Sequence, residues 1–266
     1  MKFENTQVFG MENAMYGMRL PMCKDFQEAV EKSDSVFSYM ISKGEYQPAE
    51  AAKCCSIGPD DMKIAKNLIN ADSKGGGQPN SKYLRMIHVQ VAITAPLYFF
   101  KELDTYKVGT VSNSTSTMHK LASTPITMDC FEMDDFEDFS FMIGKEGEYV
   151  CGDGLVYDSK RQWENDTYLF EVLRQKYNEL VENKKHLEEI KEFEEAKKAQ
   201  AMAKKYWKAL IRKLPESWLQ TRMFDCDYAT LRNMYKWRKD HKLTEWHRFC
   251  DWIKTLPYAE ELLLIS

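Results

Sequence analysis

The residues best equipped for chemistry lie between Ala95 and Lys120, APLYFFKELDTYKVGTVSNSTSTMHK. Gly109 to Thr117 is built almost wholly from Gly, Ser, Thr and Asn. Such a tract offers hydroxyls, amides and accessible backbone N–H groups, the equipment of an anion or nucleotide cradle. The same composition also describes a Ser/Thr-rich turn that satisfies only itself. An aromatic run (Tyr98, Phe99 and Phe100) and a charged turn precede the tract. His247-x-x-Cys250 is the nearest approach to a metal pair, and it lacks partners at zinc spacing.

Several elements must position these groups. His88 to Thr94, HVQVAIT, alternates and is β-branched, so it predicts a strand that delivers the chain to Pro96. Pro96 then reads as the first position of a helix, where its missing N–H costs nothing. Upstream, Gly10–Asn13 and Gly17–Pro21 read as loops and turns, and Lys24 to Lys32 as a helix. Phe37, Tyr39, Met40 and Ile41 form a candidate buried patch. Pro59-Asp60-Asp61 starts a helix whose apolar face is Met62, Ala65, Leu68 and Ile69. A GGG-containing loop occupies 72–81.

Downstream, 125–160 is acidic and aromatic, a solvated surface followed by a hairpin around CGDG with Tyr149-Val150 and Leu155-Val156-Tyr157 on its arms. From about Asp166 to Lys213 the pattern is helical, with Leu169, Leu173, Tyr177 and Leu180 in one stripe and opposite charges along the outside. Leu214-Pro215 ends this helical segment. Two amphipathic helices follow, joined near Asp240-His241-Lys242. Their apolar set is Leu231, Met234, Tyr235, Trp237, Trp246, Phe249, Trp252 and Ile253.

Ala95-Pro96, nine residues, then TYKVGTVSNSTSTM resembles the signature region of flavin-dependent thymidylate synthases. The family's R-H-R falls on Thr105, Tyr106 and Lys107, its first Ser on Thr110 and its Asn-Glu on Ser112-Asn113. Its second Ser falls on Thr115 and its last Arg on Thr117. The register fits, but only hydroxyl-for-hydroxyl and Lys-for-Arg are like-for-like. A family His ten residues before the proline is Met86 here. A second block resembles the family's C-terminal half. Arg212 stands one place from the phosphate-binding Arg, Asp227 in the place of a flavin-contacting Asn, Asn233 as the later such Asn, and Arg238 as the Arg that holds the nucleotide.

The resemblance implies an α/β (α+β) fold: a small, mostly antiparallel sheet packed with helices and carrying a long helical insertion. It implies one domain over 1–266, with 125–160 and 166–213 as variable segments. The activity implied is transfer of a one-carbon unit from methylenetetrahydrofolate to dUMP, with FAD as cofactor and NADPH as reductant, in a cytoplasmic homotetramer. Tyr106, Lys107, Val108, Asp227 and Asn233 would contact FAD. Lys101, Glu102, Thr105, Thr110, Asn113, Thr115, Ser116, Thr117, Arg212 and Arg238 would contact the uridine nucleotide. Each position keeps its plain alternative: Tyr106 a core aromatic, Lys107 a surface cation, Arg238 a cation facing a helix C-terminus. A catalytically silent relative that binds nucleotide or serves in an assembly is the other functional reading.

Composition bounds the rest. At 266 residues with 44% hydrophobic and 13% aromatic content, the chain can bury a sizeable core. A net charge of −4 carries no footprint for bulk nucleic-acid binding, and no apolar run approaches a membrane span. Seven cysteines, an odd number, do not form a disulfide framework.

Overall fold

The structure, a computed structural model, describes residues 1–37, 55–73, 80–143 and 155–265. The chain divides into two compact units. The first holds 1–95, 99–114 and 221–266; the second holds 96–98 and 115–220.

The first unit is built on a four-stranded sheet of order β1-β4-β8-β5: Lys2–Phe9, His88–Pro96, Leu219–Asp227 and Thr110–Ser114. β1 runs antiparallel to β4 and β5 antiparallel to β8. The mixed, largely antiparallel fold is as the sequence implies. Alternation does its work in β4, where Val89, Val91, Ile93 and Ala95 are fully buried and His88 and Gln90 face solvent. β4 runs through Pro96, so α4 begins one residue later, at Leu97–Leu103. β8 was not apparent in the sequence. It reads as a mixed segment because its outer residues differ in character: Thr221 meets Thr94, Asp225 meets His88 and Gln90, and Met223 is exposed.

The expected loops near the N-terminus are instead α1, Met11–Arg19. Gly10 turns the chain at φ 82°, and its carbonyl accepts the Ala14 N–H at 2.9 Å. Met11, Ala14, Met15 and Met18 then form a buried stripe at helical spacing, which outweighs the two glycines. The next helix, α2 (Phe26–Lys32), starts two residues later than expected because Asp25 caps it, accepting from Glu28 N at 2.9 Å. Val36–Phe37 (β2) pairs with Cys55–Ser56 (β3). Phe37 is half-buried, and Tyr39, Met40 and Ile41 lie outside the described residues.

Pro59–Ser73 forms α3 with Ala65 and Ile69 fully buried. Its two first-turn acids part ways: Asp60 is exposed, whereas Asp61 is fully buried. Asp61 binds the Arg19 guanidinium and the hydroxyls of Ser33 and Ser35. A buried carboxylate persists only with such partners. Most of the 72–81 loop lies outside the described residues, but Asp72 holds its far end by accepting from Ser81 N at 3.0 Å.

The second unit is dominated by an antiparallel pair of helices. Thr117–Lys120 forms the short α5. Ser140–Ile143 (β6) pairs with Leu155–Asp158 (β7), so Leu155-Val156-Tyr157 is a hairpin arm as read, while Tyr149-Val150 lies outside the described residues. α6 starts at Ser159, earlier than Asp166, because Asp158 caps it through Arg161 N at 2.7 Å, and it runs to Glu189. Lys191, at φ 63°, breaks the helical text in two. α7 follows at Phe193–Lys213 and presents Ala196, Ala199 and Ala203 as a buried small-residue seam. Leu121, Ile126, Phe131, Phe170 and Leu210 make this unit's core.

In the first unit, α8 (Tyr228–Arg238), α9 (Thr244–Lys254) and α10 (Ala259–Leu262) complete the helical layer. Leu231, Met234, Trp246, Phe249, Trp252 and Ile253 are buried as expected. Trp237 is not: it is 67% exposed. It lies one turn after the exposed Asn233 on α8, away from Leu231 and Met234.

Candidate functional site

The hydroxyl tract is neither a loop cradle nor a self-contained turn. Residues 110–114 are the edge strand β5, set opposite β8 with Thr110 across from Cys226, Asn113 from Met223 and Ser114 from Arg222. Val111, Ser112, Asn113 and Ser114 are exposed. Thr110 is half-buried, and its hydroxyl donates to the Tyr106 carbonyl. Arg222 is held by Asp104, with Nη1 at 2.8 and 3.1 Å from the two carboxylate oxygens, and its guanidinium lies 4.1 Å from the centre of the Phe100 ring.

The chain between α4 and β5 is shaped by two contacts. Thr105 N and Oγ1 both donate to the Glu102 carbonyl, at 3.1 and 2.7 Å, closing the last turn of α4. Gly109, at φ 73°, then brings the backbone against the start of α8. A Cβ there would lie 2.6 Å from Asp227 Oδ2 and 2.9 Å from Thr230 Oγ1. Asp227, proposed by resemblance as a cofactor contact, is 6% exposed and caps α8 by accepting from Thr230 N at 2.7 Å. Lys107 and Val108 project at this bend, Val108 being 77% exposed.

This bend carries Tyr106 to Arg238, at the far end of α8. Arg238 Nε donates to the Tyr106 hydroxyl at 2.8 Å, and Nη1 donates to Glu102 Oε2 at 3.1 Å. The same carboxylate oxygen accepts from the buried Trp246 indole N–H at 2.8 Å and lies 3.5 Å from His241 Nε2. His241 Nδ1 accepts from Leu243 N at 3.2 Å, which leaves Nε2 to carry the proton that faces Glu102. The Arg238 guanidinium also lies 4.7 Å from the centre of the Trp246 ring and 5.4 Å from that of Tyr106. Two aromatic faces and a carboxylate thus fix one planar cation, leaving the Arg238 side chain 20% exposed. Among the described residues its Nη2 has no hydrogen-bond partner.

Of the sequence candidates, the structure therefore brings Glu102, Tyr106 and Arg238 together. Trp246 and His241 join them, one read from sequence as core and the other as a joint between helices. No spacing links either to Glu102, since they lie 144 and 139 residues from it. Asn233 is exposed on α8, where its side-chain oxygen accepts from Trp237 Nε1 at 3.0 Å. Lys101 is exposed on α4. Thr115, Ser116, Thr117 and Arg212 belong to the second unit. There Gln220 Nε2 donates to the Thr115 carbonyl at 2.9 Å and lies 3.3 Å from Thr117 Oγ1, while Ser116 is half-buried and Arg212 is exposed in the last turn of α7.

No family model matches the chain, and no curated protein does. Solved structures do resemble it along its whole length. The flavin-dependent thymidylate synthase ThyX from Helicobacter pylori, complexed with FAD and dUMP, superposes with a TM-score of 0.51 at 14% identity, covering 99% of this chain and 98% of that one. A second structure of that enzyme with FAD and dUMP gives the same values. A UMP/dUMP methylase, PolB from Streptomyces cacaoi, bound with 5-Br dUMP, aligns at a TM-score of 0.47 and 13% identity, covering 98% and 94%. At this identity the likeness to the Helicobacter pylori enzyme is one of fold.

Proposed function

We propose that this chain is a divergent flavin-dependent thymidylate synthase-like enzyme that binds FAD and a uridine nucleotide and transfers a one-carbon unit from reduced folate to dUMP. The observation that carries the reading is the meeting of Tyr106 and Glu102, from the first family-like block, with Arg238, from the second, around one guanidinium. A fold shared end to end with a synthase that binds FAD and dUMP supports it.

In this reading Arg238 receives the nucleotide phosphate. Nη2, without a partner among the described residues, is the first point of attachment, and Tyr106 and Trp246 hold the plane of the guanidinium. Lys101 supplies a second cation, and the Thr110 hydroxyl supplies a neutral donor, worth about half of a charge-assisted bond. The donors present also suit FAD: Lys107 is an exposed cation for a pyrophosphate, and the Asn233 amide and the exposed Trp237 ring offer a polar contact and a stacking surface. FAD, when bound, supplies the hydride that reduces the transferred carbon. The protein side chains bind and orient, and none is required as a nucleophile. NADPH and methylenetetrahydrofolate are the co-substrates of this scheme.

A silent, nucleotide-binding relative is the second reading. It is favoured by the threonines at 105 and 117, where the family pattern has arginines, and by the fact that Arg238 is already ion-paired. Flavin absorption at about 450 nm in the purified protein separates the two readings. Calorimetric titration of dUMP tests the site itself. Arg238→Ala should weaken binding by one to two powers of ten, since losing a charge-assisted bond costs about 1.5–3 kcal/mol. Equal affinities would make Arg238 a structural residue.

A further inference from the structure

We infer that Glu102 is the specificity-determining residue of this site: a resident carboxylate that occupies one arm of Arg238 and must hand it over before a phosphate can be held by both. The inference rests on the proposed role of Arg238 and concerns what that role must displace. A guanidinium grips phosphate best through two parallel N–H donors. In Arg238 the Nε donates to Tyr106 and Nη1 donates one of its two hydrogens to Glu102, and among the described residues Nη2 has no partner. A dianion approaching Nη2 meets the Glu102 carboxylate as the neighbouring acceptor, and like charges at such separations repel strongly.

Handing over is feasible because Glu102 does not depend on Arg238. Its Oε2 also accepts from Trp246 Nε1 at 2.8 Å and faces His241 Nε2 at 3.5 Å. Trp246 is fully buried, and its indole cannot follow the ligand. A small rotation of the Glu102 carboxylate away from Nη1 toward His241 keeps one donor, shortens the approach to another and frees the second arm of the guanidinium. Trp246 and His241 are thus positioning residues. The site so built favours a ligand able to outcompete a carboxylate for Arg238, a phosphate dianion over a neutral nucleoside or a simple carboxylate.

Titration of dUMP into the full-length protein tests this. Glu102→Gln keeps an acceptor for Trp246 but removes the competing charge, and it should tighten dUMP binding about tenfold, a larger gain than any for deoxyuridine. His241→Asn preserves an acceptor for Leu243 N and removes the receiving group. It should weaken dUMP binding about threefold in the wild type and have no effect in the Glu102→Gln background. The Trp246 indole N–H resonance, assigned through Trp246→Phe, should move on dUMP addition in the wild type. If Arg238→Ala abolishes binding yet Glu102→Gln binds no tighter than the wild type, the gate is overturned and the phosphate role of Arg238 stands. If none of the wild type, Glu102→Gln and Arg238→Ala proteins binds at millimolar dUMP, both ideas fall together.

Discussion

Arg238 and Gly109 show how single residues set this site. Arg238 makes its contacts through a planar group held edge-on by Glu102 and Tyr106 and lying against Trp246, an arrangement lysine cannot reproduce. Gly109 is needed for a different reason. Its φ of 73° lies in the left-handed region, and Asp227 and Thr230 fill the space a side chain would take. Gly109→Ala should cost about 2–4 kcal/mol, from backbone strain together with disturbance of the α8 cap. Denaturant melts of the two proteins measure it; a loss below about 0.5 kcal/mol would mean the bend relaxes freely.

Among the elements, α6 carries the best-defined electrostatic clamp. Arg174 grips Glu171 with two hydrogen bonds of 2.7 Å, Glu171 accepts from Ile126 N at 2.8 Å, and Arg174 and Asn178 both donate to the Ala122 carbonyl. The Arg174 guanidinium, helped by the Ile126 amide and Gln175 against the cost of burial, lowers the Glu171 pKa from 4.5 to about 2. A carboxyl whose folded pKa is depressed stabilises the fold above its unfolded value, and that contribution is lost as pH falls. The window here runs from about 4.5 down to about 2. Glu171→Gln should therefore melt earlier than wild type at pH 7, by about 2 kcal/mol of stability, and the gap should close as the pH approaches 2. Melting curves across pH 2–7 check this, and a gap of constant size would show that the ionised pair contributes nothing.

For the molecule as a whole, the synthase reading brings a homotetramer with it. A chain of 31.2 kDa should then sediment at about four times that mass. Analytical ultracentrifugation, with and without dUMP, tests the assembly, and a monomer at tens of micromolar would count against it. The described residues include no helix long and apolar enough to cross a membrane.

Local order in this chain was legible wherever one face of an element is apolar over several turns or alternations. β4, α3 and the pair α8–α9 follow from such stripes, since burial of a regular face needs no knowledge of the partner. Two blocks of altered motif letters also pointed to the right fold, because register survives when side chains change. Other features waited for the tertiary structure. The Ser/Thr tract became an edge strand because β8 lies beside it, and β8 itself is recognisable only by what it pairs with. Asp227 became a cap and Trp237 an outward ring because each side chain answers to the turn it sits on, not to its place in a motif. Most of all, the pairing of Glu102 with Arg238 joins positions 136 residues apart. Sequence spacing carries periodicity within an element, but which charge meets which across the fold is decided only when the chain closes on itself.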